Sequence, residues 1–222
     1  MGLYSYCGYW RMKNKLLMLV ALVALIVALP FIPQRETGPD SGYPWQIDLT
    51  EQGLSTVFGL TIGRTRMTEV RDIIGDGMKL ALLSDDKGDA AVEMYYGVYT
   101  AGRLSGRLII VADLAPEAIG GMRERAIRAG GANRFRIHND DLPAIMQSPV
   151  KGITFIPLVD LDKDIILQRF GQPDEIVTSE DKLSHFLYAE KGLDVILDND
   201  GKEVLQYVAP ARFDQLKNPL GL

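Results

Sequence analysis

In the second half of the chain, apolar residues recur first at helical spacing and then in strand-like runs. The helical spacing begins at Asp160, an N-cap residue type, and ends at the Gly-Gln-Pro sequence of residues 171–173. Residues 198–202 read Asp-Asn-Asp-Gly-Lys, a sequence typical of a tight β-hairpin turn. The pattern predicts one helix followed by an antiparallel sheet. The predicted strands are 184–189, 193–197 and 203–208.

A looser version of this order occurs between residues 59 and 113. Thr65 is a plausible helix cap, an apolar stripe follows it, and Gly75 ends the predicted helix. Residues 91–99 and 107–112 are rich in β-formers and predict strands. The chain therefore contains the same helix-then-sheet order twice.

The segment between the two copies has no counterpart in the second copy. It predicts a helix over 117–129, an alternating strand over 133–138 and a short helix that ends before Pro149. We therefore expect an α+β protein with two related helix-plus-antiparallel-sheet units. The first unit, with the inserted helix and strand, covers 54–149, and the second covers 150–222.

The N-terminal region contains an apolar run over residues 16–33, eighteen residues without a charge. At about 1.5 Å rise per residue a helix of this length spans about 27 Å, close to the hydrocarbon thickness of a bilayer. The run predicts a transmembrane signal-anchor, with 1–15 in the cytoplasm and 34–53 as a linker. A cleaved signal peptide is the alternative, although residues 28–31 make a poor cleavage site.

The charges around this run predict its orientation. Three cations and no acidic residue precede it, which favours a cytoplasmic N-terminus and a folded part outside the cytoplasm. We expect a single-pass inner-membrane protein with a periplasmic C-terminal domain. The chain without those three cations has 21 Lys and Arg against 29 Asp and Glu, a net charge of −8, which argues against nucleic acid as a partner. The only cysteine, Cys7, precedes the run, so the exported part has no thiolate metal ligand and no disulfide.

The repeated order resembles the small outer-membrane-assembly lipoproteins of the BamE (SmpA/OmlA) type and, more broadly, the β-lactamase inhibitor proteins, which contain two such units. That pattern is Gly-x-Thr, a helix that ends in Gly-x-Pro, and a sheet that ends in an Asp-Gly or Asn-Gly hairpin. The second unit matches at Phe170, Gly171, Pro173, Tyr188, Gly192, Leu193, Val195, Gly201, Lys202, Tyr207 and Val208, and the first at Gly63, Thr65, Val70 and Gly75. The chain departs from the family because it has no lipobox and its first unit lacks the proline. The resemblance implies an envelope protein with a binding fold and no chemistry.

Candidate catalytic residues are few. His138 precedes Asn139, Asp140 and Asp141, which invites a metal or general-base interpretation, but an outward strand position followed by helix-capping aspartates also explains it. His185 is interpreted as a sheet-surface histidine. No serine lies in a nucleophile-elbow context and no glycine-rich stretch has phosphate-loop spacing. We therefore predict no catalytic residue, no metal site and no cofactor.

Two groups of residues are candidates for binding a partner. The first is five arginines within fourteen residues, which suit carboxylate or phosphate recognition but are also explained as helix-end and solvent-facing cations. The second is three tyrosines on a predicted strand, which either form a contact surface or edge the core. The groups are Arg123, Arg125, Arg128, Arg134 and Arg136, and Tyr95, Tyr96 and Tyr99.

The expected function is a non-catalytic protein-interaction or scaffolding module of the bacterial envelope, with another envelope protein as its partner and with residues 16–33 in the membrane. One alternative is a periplasmic enzyme, or an enzyme regulator, that acts on envelope polymers and uses His138 and Asp140. Another is a lipid or small-ligand binder that uses a concave sheet face.

Overall fold

The computed structural model of the protein describes residues 42–84, 89–129, 133–198 and 202–221. Within these residues, no helix is long and apolar enough to cross a membrane. The predicted signal-anchor at 16–33 lies outside the described residues, so it stays a prediction.

The described part of the chain contains short helices and many antiparallel strands, which confirms the predicted α+β class. The helices are α1 Met67–Ile74, α2 Pro116–Arg125, α3 Leu142–Gln147, α4 Lys163–Phe170 and α5 Asp214–Lys217. The strands are β1 Asp48–Leu49, β2 Ser55–Val57, β3 Leu60–Thr61, β4 Lys79–Ser84, β5 Ala90–Ala101, β6 Leu104–Ala112, β7 Ile127–Arg128, β8 Arg134–Arg136, β9 Val150–Pro157, β10 Glu175–Thr178, β11 Ser184–Tyr188, β12 Leu193–Leu197 and β13 Val204–Val208.

Strands β4 to β13 form one ten-stranded sheet in the order β10-β11-β12-β13-β9-β6-β5-β4-β8-β7. The pairs within it are antiparallel. Outward from the central β13–β9 pair, the chain runs through β12, β11 and β10 on one side and through β6, β5 and β4 on the other. The sheet therefore has two halves of equivalent strand order, a first half of β4, β5, β6 and β9 and a second half of β10 to β13. β8 and β7 extend only the first half, beyond β4.

The hydrogen-bond register of the two halves is also equivalent. Two cross-strand rows occupy the same place in each half, Tyr96–Leu108–Phe155 and Tyr188–Leu193–Tyr207. Where the halves meet, Thr154 pairs with Gln206. A rotation of half a turn about the Thr154–Gln206 pair therefore exchanges the strands of one half with those of the other, in register.

A tyrosine hydrogen bond repeats in both halves. The Tyr96 hydroxyl donates to the Gly75 carbonyl at 3.1 Å, and the Tyr188 hydroxyl donates to the Gly171 carbonyl at 3.0 Å. Each glycine ends a helix at a positive φ, 104° at Gly75 and 86° at Gly171, a backbone region that favours residues without Cβ. The same contact thus ties the end of α1 and the end of α4 to the sheet.

The main hydrophobic core lies on one side of the sheet, here called the helix face. Leu108 and Ile110 of β6 are fully buried on this side, where Met67 of α1 and Ile166 and Phe170 of α4 join them. Burial of one large apolar side chain contributes about 1.5–3 kcal/mol, so these contacts hold both helices on the sheet. The alternate residues of the strands point to the opposite side, here called the outer face.

The outer face of the second half is covered by the end of the chain, residues 209–221, here called the C-terminal segment. Phe213 is buried in a second hydrophobic cluster with Leu187 of β11 and Val208 of β13, and Leu216 and Leu220 pack against that cluster. This cover was not predicted from the sequence.

Both predicted helix caps are shifted along the chain. Asp162, and not Asp160, caps α4, since its carboxylate accepts a 2.7 Å hydrogen bond from the Ile165 backbone N–H. Arg66, and not Thr65, is the N-cap of α1, and its backbone N–H donates to the Glu69 carboxylate at 2.6 Å.

The hydroxyl of Thr65 is used elsewhere. It accepts a hydrogen bond from the Thr61 backbone N–H at 2.9 Å and so closes the turn before the helix. The predicted helix over 117–129 is also too long, because α2 ends at Arg125 and the chain then enters the short edge strand Ile127–Arg128. The predicted hairpin at 198–202 lies only partly within the described residues.

Candidate functional site

The outer face of the first half carries a group of partly exposed apolar residues, bordered by Glu93, which pairs with Val111, and by Arg107, which pairs with Ile156. Tyr95 of β5 pairs with Ile109 of β6, which in turn pairs with Thr154 of β9. Tyr95, Ile109, Val111 and Ile156 are partly exposed, and none of the four belongs to either buried cluster of the described residues. These four residues are here called the open face. Apolar groups in a contiguous, solvent-facing patch are typical of an interaction surface.

The three predicted contact tyrosines are on different sides of the sheet. Tyr95 lies on the open face, whereas Tyr96 and Tyr99 are 4% and 7% exposed and belong to the main core. A shift of the β5–β6 register between Tyr96 and Tyr99 puts both on the helix face although three positions separate them. Burial raises the pKa of Tyr96 to about 12. Of the three, only Tyr95 is partly exposed, and its binding role stays a prediction.

Three of the five predicted arginines contact neighbours within the fold. Arg123 and Arg128 place their guanidinium groups 5.9 Å and 5.7 Å from the centre of the Phe135 ring, within cation–π range. Arg125 donates to the buried carboxylate of Asp141 at 2.5 Å, and this hydrogen bond raises the pKa of Arg125.

The remaining two arginines lie on β8. Arg134 is partly exposed. Burial raises the pKa of the Glu93 carboxyl, and the charge of Arg134 opposes that rise. Arg136 is exposed. The arginines therefore divide among an aromatic contact, an ion pair and a strand surface. Whether any of them binds a partner stays a prediction.

The two histidines have different environments. The side chain of His138 is 45% exposed, and its Nδ1 lies 3.4 Å from a carboxylate oxygen of Asp140. His185 is not on the sheet surface, and that interpretation is wrong. Its side chain is 8% exposed, and its Nδ1 lies 2.7 Å from the buried carboxylate of Asp194 on the neighbouring strand.

The buried pair of His185 and Asp194 is explained by the interaction between the two side chains and needs no catalytic role. Burial raises the pKa of Asp194, and the hydrogen bond and charge of His185 oppose that rise. The other carboxylate oxygen of Asp194 has no hydrogen-bond partner within the described residues. A histidine next to a buried carboxylate is a compensated polar pair in the sheet. The sequence missed it because Asp194 stands in an otherwise apolar strand, Leu-Asp-Val-Ile-Leu.

A cleft of 670 Å³ lies near the turn between β2 and β3, away from the open face. Tyr43 and Trp45 are among the residues that line the cleft, and both rings contact neighbours within the fold. The Tyr43 ring packs against Gly102 on one side and stacks on Trp45 at 4.7 Å, and the guanidinium of Arg169 lies 4.9 Å from the Trp45 ring. These contacts fix both rings to the fold.

Within the described residues, no group of three or more His, Cys, Asp or Glu side chains is placed to hold a metal ion. No protein-family model, curated protein or solved structure matches the chain. The resemblance to the BamE-type lipoproteins and to the β-lactamase inhibitor proteins therefore stays a prediction.

The open face has a signal in the sequence, in the strand at residues 107–112. Residues 107–112 read Arg-Leu-Ile-Ile-Val-Ala, so this strand is apolar on both sides. A strand with one solvated face should alternate apolar and polar residues. Leu108 and Ile110 supply the core, which leaves Ile109 and Val111 as surplus apolar residues on the outer face.

Proposed function

We propose that the protein is a membrane-anchored, non-catalytic module of the bacterial envelope that binds another envelope protein through the open face. In this proposal residues 16–33 are the inner-membrane anchor, and the folded part is a periplasmic tandem of two related units. The observation that carries the binding role is the apolar open face of the ten-stranded sheet.

The composition of the open face supports a protein partner. Tyr95, Ile109 and Ile156 are partly exposed on three adjacent strands, β5, β6 and β9. Their neighbour Thr154 is polar, so the surface combines apolar area with a hydrogen-bonding group. Tyrosine is enriched at the energetic centres of protein interfaces, and the buried core of an interface is more apolar than its rim.

The environments of the histidines favour binding over catalysis. His185 is buried against Asp194, on a stretch of the sheet where its described neighbours are apolar strand residues. His138 contacts Asp140 on the surface without a further acidic or thiol partner among the described residues. Neither arrangement favours the enzyme alternative, and substitution of His138 and Asp140 by Ala should leave the cellular role intact.

Photo-crosslinking in intact cells tests the open face. A photoreactive amino acid at Ile109 should give a discrete adduct with one envelope protein. The matched control position is Ile127, which is 55% exposed on β7 at the sheet edge and lies off the open face. Adducts of equal pattern and yield at both positions would show that the open face has no specific partner.

A pair of substitutions tests the energetic contribution. Ile109→Thr together with Ile156→Thr removes apolar surface but keeps the β-branched side chains that strands favour. We expect the adduct yield, recorded from a probe at Tyr95, to fall about tenfold, which corresponds to about 1.4 kcal/mol of binding free energy. Ile127→Thr should leave the yield unchanged, and thermal unfolding should report intact folding for the double variant and for Ile127→Thr.

A further inference from the structure

The two halves of the sheet differ in what lies on their outer faces. The pair Leu187–Asp194 in the second half is equivalent to the pair Tyr95–Ile109 in the first. The first of these pairs lies next to the row that begins at Tyr188, and the second lies next to the equivalent row that begins at Tyr96. Leu187 is 1% exposed beneath the C-terminal segment, whereas Tyr95 is partly exposed. The fold thus covers one of two equivalent surfaces with its own chain.

The equivalence extends to the central strands. Half a turn about the Thr154–Gln206 pair exchanges Val208 with Ile156, since each stands two residues beyond the central pair along its own strand. Val208 is 8% exposed and lies in the cluster with Phe213, whereas Ile156 is partly exposed. The apolar surface that receives the C-terminal segment therefore has an apolar counterpart on the open face.

The C-terminal segment defines the shape that covers such a surface. Phe213, Leu216 and Leu220 follow a spacing of three and seven residues, which aligns them along one side of short consecutive helical turns. Apolar residues at this spacing are how an amphipathic helix docks in a groove.

The charge is reversed at one pair of equivalent positions on the edge of the two surfaces. The Nζ of Lys217 in the C-terminal segment lies 3.2 Å from the Glu175 carboxylate. Glu175 is on the edge strand β10 and pairs with Leu187. The residue equivalent to Glu175 is Lys79, which pairs with Tyr95 and is exposed. A segment that covers the open face would therefore meet a cation where the C-terminal segment meets a carboxylate.

From this equivalence we infer that the open face receives a short amphipathic helical segment of the partner protein. The segment presents apolar residues at the spacing of the C-terminal segment and an acidic side chain next to Lys79. This inference rests on the proposed binding function and specifies the chemistry of the partner.

A peptide with the sequence of residues 209–221 is the probe, made once as it stands and once with Lys217→Glu. The full chain carries a photoreactive amino acid at Ile109, with Ile127 as the control position. We expect the Lys217→Glu peptide to be captured at Ile109 about two- to five-fold more than the unchanged peptide, the range of an exposed ion pair. Neither peptide should be captured at Ile127.

A charge reversal on the protein separates specific docking from general stickiness. In the Lys79→Glu chain the order should invert, so that the unchanged peptide is captured more than the Lys217→Glu peptide. Because Lys79 is exposed, this variant should fold as the natural chain does. Capture that ignores both charge changes, or that is equal at Ile109 and Ile127, would overturn the inference.

The inference and the proposed function can fail separately. If the cellular partner is crosslinked at Ile109 but neither peptide is captured there, the open face is a binding surface for some other shape, and the inference is wrong. If neither the partner nor a peptide is captured at Ile109, both are wrong.

Discussion

Removal of the repeated tyrosine hydroxyls tests whether the two halves of the sheet are stabilised in the same way. Tyr96→Phe and Tyr188→Phe each delete one oxygen, the one that donates to the carbonyl at the end of a helix. Tyr95→Phe is the matched control, because Tyr95 neighbours Tyr96 on the same strand but lies on the open face.

The size of the effect follows from the hydrogen bond and from the proton it carries. Loss of one such hydrogen bond costs about 1 kcal/mol at neutral pH. Burial raises the pKa of Tyr96 and of Tyr188 from 10.0 to about 12, so the folded state holds each proton more tightly than the unfolded state does. The unfolded chain ionises first as the pH rises, and the natural protein then loses stability. At about pH 11 this loss amounts to roughly 1.4 kcal/mol for each tyrosine.

The two effects have opposite consequences for the variants. Phenylalanine has no proton to lose, so each variant should be about 1 kcal/mol less stable than the natural protein at neutral pH. The difference should remain constant until the pH approaches the ordinary tyrosine pKa of 10.0, shrink through that pH, vanish near pH 11 and change sign above it.

Urea unfolding of the full chain at a series of pH values measures this difference. Tyr96→Phe and Tyr188→Phe should give similar curves, and Tyr95→Phe should show little loss at neutral pH because no hydrogen bond of its hydroxyl is present among the described residues. A deficit that is independent of pH would refute the role of burial. Clearly unequal deficits at neutral pH would refute the equivalence of the two contacts.

Three further substitutions have effects that the structure ranks. Gly192→Ala should destabilise the fold by at least about 3 kcal/mol, since φ is +65° and a Cβ would lie 2.0 Å from the Val208 carbonyl oxygen. Gly171→Ala, with open space around it, should cost about 1–2 kcal/mol. Thermal unfolding measures both changes in stability. His185→Leu should cost about 3 kcal/mol or more of stability at neutral pH, because it leaves the Asp194 carboxylate buried and uncompensated. Protonation of that carboxyl should reduce the cost as the pH falls. A cost independent of pH would contradict this account.

The local elements could be predicted because their signals are local. Gly75 and Gly171 end α1 and α4 as expected, and the strands of the second half lie close to their predicted positions. Each of these signals depends on the backbone of a few consecutive residues, such as a positive φ at a helix end. The predicted caps failed by one or two residues, since several neighbouring side chains can each cap the same helix.

The order of the strands could not be predicted, because it depends on pairing across long stretches of chain. β9 pairs with β6 within the first half and with β13 of the second half, and within the described residues the β9–β13 pair joins the halves into one sheet. The side on which Tyr99 lies was equally out of reach, because a register shift within β5 reverses the alternation after Tyr96. β10, with only four residues, was missed for lack of a periodic pattern.

The open face becomes visible only when the symmetry of the sheet is compared with its covering. On the helix face each half packs against one helix, α1 in the first half and α4 in the second. A tyrosine hydrogen bond holds the end of each helix on the sheet. On the outer face one half is sealed by the C-terminal segment, and the ion pair between Arg212 and Asp113 at 2.8 Å holds that segment towards the middle of the sheet. A sheet with no partner would need polar residues on the half that remains, yet Ile109 and Ile156 stand there at positions equivalent to Asp194 and Val208. The second half has the carboxylate of Asp194 beneath its cover, whereas the first half has the apolar Ile109 at the equivalent position, and this difference is what favours a cover supplied by another protein.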